Sequence, residues 1–194
     1  NITYKRYSER FNPTVGINIA IKKSRGKYVT LALIDDRKNK DFLKIMFAAI
    51  EEKTSVGLVY GDCYRTEEKN QMFENSDSKK MLENSLNKFT KNNMIKCLPG
   101  PMPMWRKNIH QKVGFFNNAE YNFADDWEMW LRMVDSGIIF EKVQKVVGLY
   151  LEGGRSQKDM NIEQRKEESK IFFKYSHLFG ENYKKYESYF RQFV

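Results

Sequence analysis

Two carboxylate pairs stand out in this sequence, Asp35-Asp36 and Asp125-Asp126, because each sits where an element should stop or start. The first pair ends the apolar run Lys27-Tyr28-Val29-Thr30-Leu31-Ala32-Leu33-Ile34. Its β-branched and aromatic content predicts a strand, and a continuously apolar strand is one covered on both faces, as in parallel α/β sheets. Ligands of open α/β sheets bind just beyond the carboxyl ends of the strands. Two hard oxygen ligands there suit a divalent cation and the phosphates it carries. An acidic turn is the other reading, since Asp is a common turn residue. The second pair opens Ala124-Asp125-Asp126-Trp127-Glu128-Met129-Trp130-Leu131-Arg132-Met133-Val134. There Trp127, Trp130, Leu131 and Val134 recur at helical spacing, and acids at a helix start interact with its dipole by roughly 0.3–1 kcal/mol each when exposed. Core packing is the first reading of the two tryptophans, sugar stacking the second. Asp62 ends another predicted strand. Arg106 and Arg155 carry forks that fit diphosphate, or solvent equally well. The two cysteines, Cys63 and Cys97, and the two histidines, His110 and His177, have no metal-binding spacing, so no zinc site is expected.

The elements that must position these groups are legible in outline. Gly16–Ser24 reads as an amphipathic helix with Ile17, Ala20 and Ile21 on one side, closed by Gly26. Asp41 opens a helix that carries Phe42, Leu43, Ile45, Met46, Ala49 and Ile50 to Glu52. Val56–Asp62 reads as a strand. Leu98–Arg106 holds three of the four prolines, at 99, 101 and 103, which excludes a helix or a central strand up to Pro103. Met104-Trp105-Arg106 then reads as a short strand, and Lys107–Val113 as a helical turn closed by Gly114. Gly137 stops the Asp125 helix. Two strand pieces follow, 138–140 and 143–150, then a turn at Gly153-Gly154-Arg155-Ser156. Residues 162–175 and the aromatic, basic tail 178–194 read as helices.

The chain has 194 residues, 41% hydrophobic and 14% aromatic, enough for one domain with a sizeable core. No apolar run approaches the roughly 20 residues that span a bilayer, and no secretory core opens the chain. The formal net charge of +9 favours anionic partners such as nucleotides or anionic membrane surfaces. No cluster forms a nucleic-acid motif, so nucleic acid is not an expected partner. The chain starts at Asn1 rather than Met, which suggests a segment of a longer protein.

Five segments, taken in order, resemble the family 2 glycosyltransferases of GT-A fold. They are Asn18-Ile19-Ala20-Ile21 through Arg25-Gly26-Lys27-Tyr28-Val29; Leu33-Ile34-Asp35-Asp36; Met104-Trp105-Arg106-Lys107 with Gly114-Phe115-Phe116; Ala124 to Arg132; and Gly148-Leu149-Tyr150-Leu151 to Ser156. The resemblance covers about residues 12–156 and implies an α/β, Rossmann-like mixed sheet flanked by helices. Residues 1–156 would form the GT-A-like domain and 157–194 a C-terminal helical extension. It implies transfer of a hexose from a nucleotide-diphosphate sugar to a glycan, lipid-linked or protein hydroxyl, as in polysaccharide biosynthesis. By the same resemblance Asp35 and Asp36 hold Mn²⁺ or Mg²⁺, Asn18, Asp35, Asp36 and Arg106 bind the donor, Asp126 is the general base and Asp125 helps position the acceptor. A cytoplasmic location is implied, with peripheral association at the inner membrane face. Leu33 stands where the family's metal motif usually has Asp, and no His lies near Glu152 to Arg155. The first strands of the nucleotide-binding half, about 60–90 residues, are not in the sequence. Those departures favour the alternative, a non-catalytic GT-A-like binding or scaffolding module, while the intact Asp35-Asp36 pair and the Asp125-Asp126-Trp127 helix favour the enzyme.

Overall fold

The computed structural model describes residues 2–9, 12–76, 80–82, 87–153 and 162–194. Its elements run α1 (Pro13–Lys23), β1 (Tyr28–Thr30), β2 (Arg37–Lys38), α2 (Phe42–Glu52), β3 (Val56–Thr66), β4 (Met104–Arg106), α3 (Ile109–Val113), α4 (Asp125–Asp135), β5 (Ile139–Leu151), α5 (Ile162–Lys174) and α6 (Glu181–Phe190). The five strands form one mixed sheet in the order β1-β4-β3-β5-β2. β3 and β5 are parallel neighbours, and every other pairing is antiparallel.

Side-chain alternation along the central strands divides the interior into two cores. Leu58, Tyr60 and Trp105 face a large aromatic core with α4, α5 and α6. Val59, Cys63 and Met104 face a smaller one with Phe42, Met46 and Ile50 of α2. The residues read as a C-terminal extension belong to the larger core. Ile171, Phe172, Leu178, Phe179 and Phe190 are buried with Trp127 and Trp130, and Phe179 and Phe190 stack on Trp127 at 6.3 and 6.2 Å. Arg155 and the division at 156/157 lie outside the described residues.

Three local expectations change. The strand expected over 28–34 stops at Thr30 and pairs antiparallel with β4, not as part of a parallel unit. Its partner explains this. Thr30 lies opposite Met104, and the next residue of that chain is Pro103, which has no N–H to continue the ladder. Leu33 and Ile34 are accordingly exposed rather than buried. The first helix starts earlier, because Asn12 accepts from Thr14 N at 3.0 Å ahead of Pro13. It closes at Ser24 rather than through Gly26. The two strand pieces at 138–150 are one strand, irregular where Gly61 pairs with Val143 and Asp62 with Val146. Among the described residues, no helix is long and apolar enough to cross a membrane.

β2 closes the sheet on β5 through Lys38 opposite Gly148. A Cβ at Gly148 would lie 2.6 Å from Met102 Cε and 2.9 Å from Arg37 O. Met102 can swing, but the Arg37 carbonyl belongs to the ladder. Gly148→Ala should therefore destabilise the chain by about 1–3 kcal/mol through overpacking. Urea unfolding reads this, and an unchanged midpoint would show that β2 is free to retreat.

Candidate active site

The turn between β1 and β2 places Asp36 beside the C-terminal end of β5. One carboxylate oxygen, Oδ1, accepts from Leu151 N at 3.3 Å. The other, Oδ2, is buried and has no hydrogen-bond partner. Burial first, and the Asp35 charge after it, push the Asp36 carboxyl up to about 6, against the opposing effects of Leu151 N–H, Lys38 and Arg37. Arg37 fastens the turn, donating to Ile34 O at 3.0 Å and Asp36 O at 2.9 Å. Lys38, two residues on and therefore on the same strand face as Asp36, donates to Thr30 Oγ1 at 3.3 Å and lies over the Phe42 ring. Desolvation lowers its ammonium to about 8. Asp36 and Lys38 supply the charges of a cavity of about 220 Å³ whose other walls include Leu31, Leu33, Pro101 and Met102. Asp35, the preceding residue, is exposed.

One proline-rich strap ties this cavity to the second carboxylate pair. Cys97 Sγ lies 3.9 Å from Asp126 Oδ2, within reach of a weak thiol hydrogen bond. Pro101 and Met102 line the Asp36 cavity, and Pro103 O accepts from Thr30 Oγ1 at 2.8 Å. Cys97 and Pro101 are four residues apart, so their Cα atoms lie at most about 14 Å from each other.

Asp125 and Asp126 open α4, as expected. Asp125 is buried. Desolvation raises its carboxyl, against hydrogen bonds from the Thr14 hydroxyl and from the amides of Asp126 and Asp125. Asp126 is solvent-exposed, although protein atoms surround its carboxyl. Desolvation first, and Asp125 second, push it up to about 6. Its Oδ1 accepts from Trp127 N at 2.6 Å.

The loop that delivers α4 is gripped from both sides. From α1, Asn18 donates to Phe116 O at 2.8 Å and accepts from Phe116 N at 3.1 Å. From α5, Glu167 accepts from the amides of Asn122, Phe123 and Ala124. Within α4, the buried Glu128 pairs with Arg132 at 2.9 Å and accepts from Tyr175 Oη at 2.7 Å. Arg132 donates onward to Phe115 O at 2.9 Å.

Of the residues singled out from sequence, Asp36 lines the cavity, Asp35 precedes it in the same turn, and Asp126, next to Asp125, meets Cys97 ahead of the strap. Asn18 is a clamp on the 116–118 loop. Arg106 is engaged elsewhere. Its guanidinium donates to Val56 O at 2.8 Å and Ile50 O at 2.5 Å, at the start of β3 and the end of α2, because those carbonyls end their elements without main-chain donors. Asp62 is paired with Lys142 at 2.6 Å inside the sheet. Trp127 donates to Met94 O at 2.8 Å and, with Trp130, is buried in the core. His110 accepts from Trp105 Nε1 at 2.9 Å, so its Nδ1 carries the proton donated to Gly114 O; burial lowers its pKa and keeps it neutral. Among the described residues, no three His, Cys, Asp or Glu side chains form a cation cage. Mg²⁺ and Mn²⁺ sites that rely on substrate phosphates do not need one, and the unpartnered Asp36 Oδ2 is a ligand of the right kind. Lys38, Cys97 and Glu167 were not found from sequence. Only Lys38, at i+2 from Asp36, left a local signal there.

No protein-family profile and no curated protein matches this sequence. Solved structures do match in shape. S. aureus TarS 1–349 gives a TM-score of 0.63 at 14% identity, over 93% of this chain and 53% of that one. The same segment in complex with UDP gives 0.62 at 13%, over 91% and 52%. The mannosyltransferase PcManGT from Pyrobaculum calidifontis, in complex with GDP-Man and Mn²⁺, gives 0.58 at 17%, over 86% and 44%. The chain thus spans about half the length of these proteins. At such identities the likeness is one of fold, and it agrees with the mixed GT-A-type sheet.

The raised Asp126 pKa makes a stability prediction. The folded chain holds this proton more tightly than the unfolded chain, so stability falls as pH rises from 3.8 to about 6 and stays reduced above it. Asp126→Asn should melt higher than the parent near neutral pH, with the gap closing towards pH ~4. Paired thermal melts at the two pH values check this, and a lower-melting Asn variant at neutral pH would contradict the crowding of the carboxylate.

Proposed function

We propose that this chain carries the cation and acceptor side of a nucleotide-sugar-dependent glycosyltransferase. The observation that carries the reading is the strap from Cys97 to Pro103, which meets Asp126 at one end and at the other walls the cavity of Asp36, a buried carboxylate with an unpartnered oxygen. The fold supports it. So do the ligands of similar structures, which are UDP, UDP-GlcNAc, and GDP-Man with Mn²⁺.

The donor in this reading is a nucleotide-diphosphate sugar, and its diphosphate lies at Asp35 and Asp36. Asp35 and Asp36 would hold Mn²⁺ or Mg²⁺, which would supply positive charge against the departing nucleotide diphosphate. Asp126 accepts the proton of the acceptor hydroxyl as its oxygen bonds to the anomeric carbon and the bond to the diphosphate breaks. Its raised pKa places it nearer neutrality, where a base both ionises and takes a proton readily. Asp125, held by Thr14, keeps the start of α4 in place. Asn18 acts through the 116–118 loop. The acceptor is a hydroxyl of a glycan, lipid-linked glycan or protein, and the excess of positive charge suits work at an anionic inner membrane face.

Calorimetry with UDP and GDP should show binding that needs Mn²⁺ and disappears with EDTA or in Asp35→Ala/Asp36→Ala. Metal-dependent binding that survives the double substitution sinks the assigned cation site. In a transfer assay Asp126→Asn should lose about 10²–10⁴-fold in turnover and retain nucleotide binding. The parent's rate should rise with pH and level off above about 6, where Asp126 is ionised. A flat profile, or unchanged turnover in the Asn variant, rejects it as the base.

A further inference from the structure

A carboxylate from α5 fills a nest of amides immediately before the Asp125-Asp126 pair. Glu167 Oε2 accepts from Asn122 N at 3.0 Å, Phe123 N at 2.8 Å and Ala124 N at 3.2 Å, and Oε1 accepts from Asn122 N at 2.9 Å. Three successive amides converging on one anion form the kind of concavity that binds free anions elsewhere. Ala124 stands at the N-cap of α4 and has no side-chain acceptor; the amides of the first turn are taken by Asp125 and Asp126 themselves. Glu167 takes the three amides before them, across 43 to 45 residues of sequence, and the side chain is itself buried. Charge-assisted bonds of this type are about twice as strong as neutral ones.

We propose that Glu167 is a positioning residue for sugar transfer: its carboxylate in the 122–124 amide nest sets the place of Asp125 and Asp126. The inference rests on the reading of Asp126 as the base. It also gives α5 a part in the reaction beyond completing the core. Ser169 and Ile171, farther along the same helix, do ordinary packing work: Ser169 donates to Phe190 O at 2.7 Å and Ile171 is fully buried. Glu167 is the member of that buried set that points its charge at the loop before the site.

Removal of the side chain leaves a nest that a small carboxylate can enter, and this separates positioning from packing. Glu167→Ala should lower kcat by about tenfold to a hundredfold, the size of effect that a small misplacement of a reacting group produces. KM for the donor should stay near the parent value, because the diphosphate side of the site is untouched. Added formate should recover part of kcat in Glu167→Ala and do nothing to the parent. Glu167→Gln, which keeps one acceptor oxygen, should retain more turnover than Glu167→Ala. Amide exchange at 122–124 should speed up in Glu167→Ala and slow again with formate, while the β3–β5 amides stay protected.

Parent-like kcat in a folded Glu167→Ala overturns the proposal. So does a loss that formate and Gln leave unchanged. If the parent chain transfers no sugar and binds no nucleotide, the functional reading fails by itself. The exchange rates at 122–124, with and without formate, then still decide whether Glu167 holds the loop: unaltered protection in Glu167→Ala overturns the positioning role, and formate-reversible loss supports it.

Discussion

A proline has no amide hydrogen, and both halves of the candidate site depend on that fact. Pro99, Pro101 and Pro103 make Leu98–Pro103 a strap that cannot join the sheet as a central strand. At its far end β4 pairs for three residues only, and β1 can pair no further than Thr30. The chain from Leu31 to Asp36 is therefore released from the ladder. It opens a cavity against Pro101 and Met102 and turns Asp36 into it. The near end of the strap carries Cys97 to Asp126. One short segment thus ends two strands, walls one pocket and follows directly on the cysteine that meets Asp126.

Around this strap, burial is arranged to raise the carboxylates rather than to neutralise them with cations. Asp36 and Asp126 each reach about 6, with desolvation the largest cause and a neighbouring aspartate adding to it. Elsewhere the chain behaves in the ordinary way. The buried Glu128 is matched by Arg132, Lys174 and Tyr175, and its carboxyl is lowered in spite of burial. Buried charge without a partner costs stability, and such cost is typical of sites that must meet a ligand. The contrast between Glu128 and Asp126, two residues apart on one helix, is the electrostatic signature of α4: one face is a closed structural pair, the other a crowded open carboxylate.

Much of the framework was readable from local pattern. The helices at 42–52 and 125–135, the short strand at Met104 and the acids at the start of α4 all follow from periodicity, capping chemistry and proline placement. The order of five weak motifs led to a GT-A-type fold, and the sheet is of that kind. The failures were also local in kind. Leu31–Ile34 looks like strand because it is apolar, but a strand needs a partner with a free amide, and the partner here is a proline. Arg106 looked available for diphosphate because guanidinium chemistry fits it, but carbonyls at the ends of β3 and α2 claim it first.

The sequence by itself determined the main helices and the acids at the start of α4, because capping and periodicity act within a few residues, whereas the proline that ends β1 acts from the partner strand. Only the tertiary structure decided what those carboxylates and their neighbours meet. The thiol of Cys97 meets Asp126 across 29 residues, and Glu167 meets the amides of 122–124 across more than 40. A main-chain amide has the same chemistry at every non-proline position, so nothing in the residues at 122–124 announces that they will bind an anion. The fold alone brings Glu167 to them.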